Sequence, residues 1–283
     1  MIKADNKIEK NWGHNIISKN EKSLPGLKFK FIIDNLEHVR EDTKVLEVGC
    51  GEGKHLLSIL RYKKDLKLFG CDINKTQIEN AKKIEKSISY ICCDGLNLPY
   101  KNEEFGVVYF SDYLEHVSDI NKALVEIKRV LKPGGLLIGN IPCEGNALSM
   151  YNITYKLLRK RAMKIMKIKE HFKLYSVGSI TKALSDAGFY FIKQRYSYHI
   201  LGNISDFSLF LMLSLSNRLE KNFWSANKFY SGDKNIIKKS ITKRLFNFLL
   251  GFFNLLSYYE SSLLKNKKFF SNGYLFLVIK PSQ

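Results

Sequence analysis

Short apolar runs alternate with amphipathic stretches along most of the chain. The apolar runs predict seven strands: Lys44–Gly49, Leu66–Ile73, Ile88–Asp94, Phe105–Asp112, Leu136–Ile141, Phe189–Tyr198 and Gly273–Lys280. Apolar positions at helical spacing predict helices between them: Lys54–Tyr62, Thr76–Ile84, Ile120–Leu131 and Val177–Ala187. The segment Lys132-Pro133-Gly134-Gly135 is expected to end the third of these helices. Strands interleaved with helices in this order favour an α/β fold with a doubly wound sheet.

A glycine-rich turn follows the first predicted strand directly, in the segment Val45–Gly53. Glycine permits a positive φ and lets the backbone approach a ligand closely. The helix that begins after the turn presents free N–H groups to the polar end of such a ligand. The glycine spacing is GxGxG, which differs from the GxGxxG fingerprint of proteins that bind NAD or FAD.

Three acidic residues stand at the ends of three consecutive predicted strands. Asp72 is placed to accept both hydroxyls of a ribose, and Asp94 to accept the amino group of an adenine. Glu47, at the end of the first strand, can meet an ammonium group. Each acid taken singly could instead cap a helix or be a solvated loop carboxylate. Together they favour a cationic nucleoside over a pyrophosphate, which three carboxylates would repel.

These segments resemble the class I S-adenosylmethionine-dependent methyltransferases, in particular the subgroup similar to ubiquinone and menaquinone biosynthesis methyltransferases. The matching pieces are Val45–Gly53, Asp94-Gly95 with Leu98-Pro99-Tyr100, Phe105, Leu114–Val117 and Glu126–Gly135. Gly106 departs from the pattern, since the family usually has Asp there. The resemblance implies a Rossmann-like seven-stranded sheet with an antiparallel last strand, and S-adenosyl-L-methionine as the cofactor. It implies these pocket residues: Glu47, Gly49, Cys50, Gly51, Asp72, Ile73, Asp94, Gly95 and Ser111.

The sequence defines the catalytic residues less well. Methyl transfer requires a nucleophile aligned with the sulfonium methyl, and a base only if the acceptor is not already ionised. His116 and His171 are candidates for such a base, with structural histidines as the alternative. The spacing of Asp112, Glu115 and His116 resembles a cluster by which some quinone-pathway relatives hold a divalent cation. Most members of the wider family carry Glu-His here without a known metal, so no metal ligand is assigned.

The prediction divides the chain into a core with three additions. Residues 1–42 form an N-terminal extension or lid, and residues 43–142 the cofactor-binding half of the core. Residues 171–198 and 273–283 complete the core. Residues 143–170 form a basic helical insertion and residues 199–272 an apolar helical one, both too long for ordinary connections. Because ligands bind at the carboxyl ends of parallel strands, both insertions are expected to cover the methyl donor.

The net charge of +19 suggests an anionic partner, although only eight of the 46 basic residues are Arg and a coding bias towards Lys would give the same excess. Tyr151–Lys173 shows an apolar stripe of Tyr151, Tyr155, Leu158, Ala162 and Ile165 beside a basic face. Phe207–Leu215 and Leu245–Tyr259 are apolar runs, the second bounded by Lys and Arg. Such helices suit an anionic membrane surface. Alternatively, they bury their apolar faces in the core.

These features lead to one main functional hypothesis and one alternative. The first is methyl transfer to a small amphiphilic or lipid-linked acceptor, with possible peripheral contact with an anionic membrane. The alternative is an RNA-directed methyltransferase, favoured by the charge but not by any separate recognition module. A non-catalytic protein of the same fold is disfavoured by the intact acids. A polar N-terminus and five cysteines without a CxxC pair lead us to expect a cytoplasmic protein, peripheral at the inner face of the membrane if it binds there.

Overall fold

The computed structural model describes residues 16–215, 241–268 and 270–282, with the side chains of residues 241–250 left out. Within these residues the chain forms one seven-stranded sheet. Its strands are β1 (Lys44–Val48), β2 (Lys67–Asp72), β3 (Ser89–Cys92), β4 (Phe105–Ser111), β5 (Leu131–Pro142), β6 (Tyr190–Ser197) and β7 (Gly273–Ile279). The predicted strands therefore all form, with ends that differ by a few residues.

The strands lie in the order β3-β2-β1-β4-β5-β7-β6. β1 to β5 pair in parallel, whereas β7 runs antiparallel to both β5 and β6. The antiparallel last strand is confirmed. The strand order reverses between β1 and β4, and the carboxyl ends on either side of this switch point border a crevice.

The described helices are α1 (Leu24–Leu36), α2 (Lys54–Tyr62), α3 (Lys75–Ile84), α4 (Ile120–Val130), α5 (Met150–Leu157), α6 (Arg159–Lys169), α7 (Val177–Asp186), α8 (Ile200–Leu215) and α9 (Ile241–Leu263). The buried side chains of α4 are Ala123, Leu124, Ile127 and Val130, as its periodicity predicts. One hydrophobic layer joins α4 and α7 to the sheet, and a second joins α1, α2 and α3 to it. The N-terminal helix α1 was not predicted, although Ser23 caps it and Pro25 lies in its first turn.

β5 begins earlier than predicted. The segment Lys132-Pro133-Gly134-Gly135 ends helix α4 as predicted, but it also belongs to β5. It forms a bulge in the β4–β5 pairing, where the register changes from Phe105↔Leu131 to Val107↔Leu136. Gly134 has a φ of +71° and donates its N–H to the carbonyl of Lys280. Lys280, the residue after β7, thus supplies hydrogen-bond partners to the glycines of this bulge.

The basic insertion contains two helices, which corrects the single helical stripe predicted for Tyr151–Lys173. The helix breaks at Leu158, where φ is −133° and ψ is 58°. Leu158 is consequently 63% exposed and does not belong to the apolar stripe. Tyr151, Ile165 and Ile168 pack instead against Phe207, Phe210 and Leu213 of α8. The two insertions therefore share a small core of their own.

None of the helices in the described ranges has the length and the hydrophobicity needed to span a lipid bilayer.

The contact between β5 and β7 provides a test of the fold. A Cβ at Gly139 would lie 2.2 Å from the ring of Phe276, which is fully buried against Phe110 and Tyr274. We expect Gly139→Ala to lower the free energy of unfolding by about 1–3 kcal/mol, because overpacking forces buried side chains off their rotamers. Urea denaturation measures this change. The control is Gly251→Ala in α9, where a Cβ meets nothing within 4 Å and should stabilise the helix by up to about 1 kcal/mol. Equal midpoints for Gly139→Ala and the wild type would contradict the β5–β7 packing.

Candidate active site

The glycine-rich turn has the backbone shape that its sequence requires. Gly49, Gly51 and Gly53 have φ angles of +74°, +54° and +76°. The N–H groups of Gly49 and Cys50 both donate to the carbonyl of Cys71, at 2.8 and 2.9 Å, which ties the turn to the end of β2. The side chain of Cys50 is buried, so only its backbone is available to a ligand.

Asp72 holds this turn in place. One carboxylate oxygen accepts the N–H of Gly51 at 2.8 Å, and the other accepts the N–H of Asn74 at 2.9 Å. A carboxylate has about four acceptor positions, so two remain for a ribose. Asp94 lies just beyond β3, is exposed, and accepts the N–H of Leu96 at 2.9 Å. Both acids therefore keep the acceptor capacity that a nucleoside needs.

Glu47 lies deeper than its predicted contact with an ammonium group suggests. It is only 2% exposed, and its carboxylate bonds to Nδ1 of His55 at 3.1 Å and accepts the hydroxyl proton of Tyr109 at 2.9 Å. Burial, with Glu47 beside it, raises the pKa of Tyr109, so that the hydroxyl remains a donor. Both carboxylate oxygens of Glu47 therefore already have partners, and its predicted contact with an ammonium group stays a prediction.

Tyr113 is a pocket residue that sequence reasoning missed. A Cβ at Gly49 would lie 2.9 Å from its ring, and a Cβ at Gly95 would lie 2.2 Å from its hydroxyl oxygen. The aromatic ring thus lies between the tips of β1 and β3. Its hydroxyl is buried without a hydrogen-bond partner among the described residues, which marks a polar position that a ligand can satisfy. An aromatic residue two positions after a central strand was the available signal.

Asp112, at the end of β4, forms the polar centre on the other side of the crevice. It adopts a φ of +55°, which is unusual for a residue with a side chain. Both of its oxygens accept from Nζ of Lys28, at 2.7 and 2.9 Å, and one also accepts from Asn140 at 2.8 Å. Burial opposes ionisation, yet Lys28 holds the pKa of this carboxyl below its usual range. The contact joins α1 to the site, and the role of residues 1–42 as a lid stays a prediction.

Ser111 borders the same group, with its hydroxyl 3.3 Å from Asp112. Ile73 stands 73% exposed beyond the tip of β2. The structure thus gathers the predicted pocket residues at the carboxyl ends of β1 to β4, and their contacts with a cofactor stay predictions.

The two candidate catalytic histidines lie together. The ring centroids of His116 and His171 are 5.2 Å apart. Each offers a nitrogen that lies within 4.8 Å of the other and of a Glu115 oxygen, and no further His, Cys, Asp or Glu of the described chain joins this group. Asp112 does not belong to this group, and its carboxylate pairs with Lys28. The cluster that the spacing of Asp112, Glu115 and His116 suggests therefore does not form. The third member of the observed group is His171.

Burial governs the charges in this cluster. It raises the pKa of Glu115 well above the usual range, and the nearby Asp112 adds to the effect. It lowers the pKa of His116, and neighbouring His171 lowers it further. Both pKa shifts favour the neutral forms of Glu115 and His116.

A buried ionic network connects the insertions to this site. Glu144 follows β5 and pairs with Lys169 of α6 and with Nδ1 of His171. Burial opposes its ionisation, but Lys169 and His171 lower the pKa of Glu144 to about 2. Lys169 also pairs with Asp206 of α8 at 2.9 Å, and Asp206 accepts the hydroxyl proton of Tyr151 at 2.6 Å. The position of His171 therefore depends on both insertions.

Comparison with known proteins identifies the central segment. Residues 46–139 match the family of methyltransferase domains. Methyltransferase GfsG of Streptomyces halstedii is 32% identical over 109 residues, which are 36% of this chain and 39% of the relative. A tRNA (carboxymethyluridine(34)-5-O)-methyltransferase of Arabidopsis thaliana is 32% identical over 48% of this chain and 34% of its own length. A sterol 24-C-methyltransferase of Debaryomyces hansenii is 33% identical over 35% and 27%. The chain thus spans less than two fifths of these curated relatives.

Solved structures share the fold over most of the chain. The [4+2]-cyclase SpnF superimposes with a TM-score of 0.58 at 16% identity, covering 96% of this chain and 87% of the cyclase. Phosphoethanolamine N-methyltransferase 2 of Haemonchus contortus, in complex with S-adenosyl-L-methionine, gives 0.55 at 18% identity, covering 90% and 52%. At these identities the likeness concerns the fold alone.

The Lys28–Asp112 pair predicts a pH-dependent stability. Lys28→Met should lower the free energy of unfolding at pH 7 by about 1–2 kcal/mol, less than for a fully buried pair because Asp112 is 41% exposed. Because the pKa of Asp112 is lower in the folded than in the unfolded chain, the ionised carboxylate stabilises the fold at pH values above its unfolded pKa of about 3.9. This stabilisation is lost as the pH falls through the folded pKa. The difference between wild type and variant should therefore be full at pH 7 and shrink below about pH 4. Denaturant titrations at several pH values measure it.

The control is Lys30→Met on the same helix, where an exposed pair with Asp34 should contribute less than about 0.5 kcal/mol. Equal losses from both variants, or a loss from Lys28→Met that does not vary with pH, would contradict the assigned pair.

Proposed function

We propose that this chain, a member of the class I S-adenosylmethionine-dependent methyltransferases by its domain and fold, transfers a methyl group to a small amphiphilic or lipid-linked acceptor. One observation carries the acceptor class. A floor of paired charges lies at the carboxyl ends of the central strands, and the insertions around it expose large apolar side chains. An acceptor with a polar reacting end and an apolar body matches this division.

The residues of the crevice fit the methyl donor. The turn at Gly49–Gly53 permits close approach of the backbone, Asp72 keeps acceptor positions for ribose hydroxyls, and Asp94 is available to an adenine amino group. The cofactor supplies the electrophilic methyl, so the protein has to position it and exclude water. The solved relative with bound S-adenosyl-L-methionine has the same fold, which supports this assignment.

The acceptor side combines ionised and neutral groups. Lys28, Asp112 and Asn140 form a fixed hydrogen-bonded set at the end of β4 and β5. His116 is neutral and therefore able to accept a proton from an acceptor hydroxyl or amine. In this proposal Asp112 orients the polar end of the acceptor, and His116 is the candidate base because its pKa is lowered.

The apolar part of the acceptor is assigned to the insertions. Most of the large apolar side chains exposed in the described residues belong to them, including Leu148, Leu157, Leu158, Met163, Ile200, Ile204, Leu215, Phe252, Phe253 and Leu263. Exposed apolar patches of this kind commonly mark binding surfaces. The sterol 24-C-methyltransferase relative, whose name gives a lipid acceptor, supports the same class.

RNA is the second candidate acceptor. The relative named as a tRNA methyltransferase and the net charge of +19 favour it. Against it, only eight of the 46 basic residues are Arg, and the insertions expose aliphatic side chains more than aromatic ones that stack on bases. A lipid-like acceptor is therefore a better match than RNA to the side chains that the insertions expose.

Transfer of labelled methyl groups distinguishes the two acceptors. Purified protein is incubated with methyl-tritiated S-adenosylmethionine and, separately, with the lipid extract and the bulk RNA of the cells that produce it. We expect label in the organic phase, unaffected by ribonuclease. With Asp72→Asn, which removes the charge and replaces one carboxylate oxygen by an amide NH2, the label should fall at least tenfold at a cofactor concentration below the dissociation constant of the wild type. Label that appears in the RNA and is released by ribonuclease would replace the lipid-like acceptor with the alternative.

We also propose that the protein works at an anionic membrane surface, through the corner between α5 and α6. The helix break leaves Leu157 and Leu158 76% and 63% exposed, and Met163 lies one turn further on. We call these three residues, with Lys156, Arg159, Lys160, Lys164 and Lys167, the α5–α6 corner. Apolar side chains encircled by basic ones suit the boundary between acyl chains and anionic headgroups. Leu245–Lys268 is the second segment that the sequence suggests for contact with the membrane, and its side chains up to residue 250 lie outside the described part of the structure.

Vesicle flotation tests the corner. Replacing Arg159, Lys160, Lys164 and Lys167 with Gln should weaken binding to phosphatidylglycerol vesicles by up to about a thousandfold, since each near-surface cation contributes about 1 kcal/mol. The matched control replaces Lys75, Lys82, Lys83 and Lys86, exposed lysines on and beside α3, and should float like the wild type. Wild-type protein that stays at the bottom at low salt would show that the corner is an ordinary solvated surface.

A further inference from the structure

We propose that Glu115, His116 and His171 form a binding site for one divalent transition-metal ion. Glu115 and His116 come from the turn after β4, and His171 follows α6, 55 positions further along the chain. Their ligand atoms lie within 4.8 Å of one another. The site does not depend on which acceptor the protein uses. When an ion is bound, His116 Nε2 is a metal ligand, so the base role proposed above for His116 applies to the metal-free site.

Glu115 supplies the first reason. Its side chain is 1% exposed, and neither carboxyl oxygen has a hydrogen-bond partner among the described residues. Burying a carboxyl group without a partner is costly, and buried polar groups are almost always satisfied. A cation bound beside Glu115 would satisfy both oxygens and allow the group to ionise.

The second reason is the orientation of the histidines. His116 Nδ1 lies 3.0 Å from the carbonyl oxygen of Glu170, which can only accept, so this nitrogen carries the proton. Its Nε2 is therefore an unprotonated donor to a metal, and it lies 3.8 Å from a Glu115 oxygen. His171 Nδ1 bonds in the same way to the carboxylate of Glu144 at 2.9 Å. Metal-binding histidines characteristically donate their second N–H to a carbonyl or carboxylate, as both do here.

The donor set selects the class of ion. Two imidazoles and one carboxylate suit Zn²⁺, Co²⁺, Fe²⁺ or Mn²⁺, whereas Mg²⁺ and Ca²⁺ prefer oxygen ligands. Ligands about 2.1 Å from such an ion lie about 3.0–3.4 Å apart, so binding requires the cluster to contract by about 1.5 Å at its widest. Three protein ligands leave open positions, and the 39% exposure of the His116 side chain places them at the solvent side.

The contraction has a structural route. His171 is held by Glu144, and Glu144 is held by Lys169 of α6, so the third ligand moves with the basic insertion. A bound ion would therefore fasten this insertion to the turn after β4. An acceptor oxygen could occupy the open position beside Asp112.

Cobalt titration of the full-length, metal-free protein tests the site. We expect one Co²⁺ per chain with visible d–d absorption, and without the near-ultraviolet band of a thiolate ligand. Glu115→Gln, His116→Gln and His171→Gln should each weaken binding at least tenfold, and Glu144→Gln should weaken it about 10- to 100-fold through His171. Glu115→Gln is isosteric with the neutral acid, so it should fold normally, and circular dichroism checks each variant.

Three variants serve as controls. His38→Gln removes an exposed histidine outside the cluster, Cys92→Ser removes an exposed thiol, and Asp112→Asn removes the acid that the sequence spacing suggests. None should change the cobalt affinity more than about twofold, well short of the effect of a lost ligand. The proposal is overturned if folded wild-type protein shows neither cobalt absorption nor a zinc-induced rise in melting temperature. It is also overturned if Glu115→Gln and His171→Gln bind as tightly as the wild type, or if Asp112→Asn alone loses the ion.

Discussion

The two hydrogen bonds that Asp72 accepts hold the glycine-rich turn in the shape on which the crevice depends. Through Gly51 the carboxylate fixes the loop after β1, and through Asn74 it fixes the start of α3. The Cys71 carbonyl secures the same turn from the adjacent residue. Because β1 and β2 are parallel and in register, this brings a positive-φ backbone and an acid to the same edge of the sheet. The proposed position of the nucleoside rests on that arrangement.

On the other side of the switch point, the site is organised by charge rather than by backbone shape. Lys28 and Asp112 neutralise one another, and Lys169 neutralises Glu144 and Asp206. The Lys28–Asp112 and Lys169–Glu144 pairs each join the loop after a core strand to an added helix, and the Lys169–Asp206 pair joins the two insertions to each other. The ionic contacts that form this polar group therefore also attach α1 and the helices of the insertions to the carboxyl end of the sheet.

The strands, four of the helices and the position of the cofactor crevice follow from the sequence because they depend on local patterns. Apolar runs and helical periodicity place the core elements within a few residues, and Gly49 and Asp72 are recognisable from their positions at strand ends. The break at Leu158 was not predictable in this way, since a helical stripe through Tyr151 and Ile165 continues across it. Packing of both helices against α8 decides the break.

Contacts between distant segments account for the remaining differences. No pattern near Asp112 indicates that Lys28, 84 positions earlier, binds its carboxylate. With its carboxylate paired to Lys28, Asp112 lies outside the cluster suggested by its spacing to Glu115 and His116. His171 could be named as a candidate residue from the sequence, but its place beside His116 depends on a buried network with Glu144 and Lys169.

The central claim is that Asp72 and Asp94 bind the nucleoside of S-adenosylmethionine, and calorimetry with the demethylated cofactor tests it most directly. Asp72→Asn and Asp94→Asn should each weaken binding by about 1.5–3 kcal/mol, the contribution of hydrogen bonds to a charged group. Asp65→Asn, at the amino end of β2, should leave the affinity unchanged, and NAD should not bind measurably. Unchanged affinity in both the Asp72 and the Asp94 variant would contradict the assigned crevice.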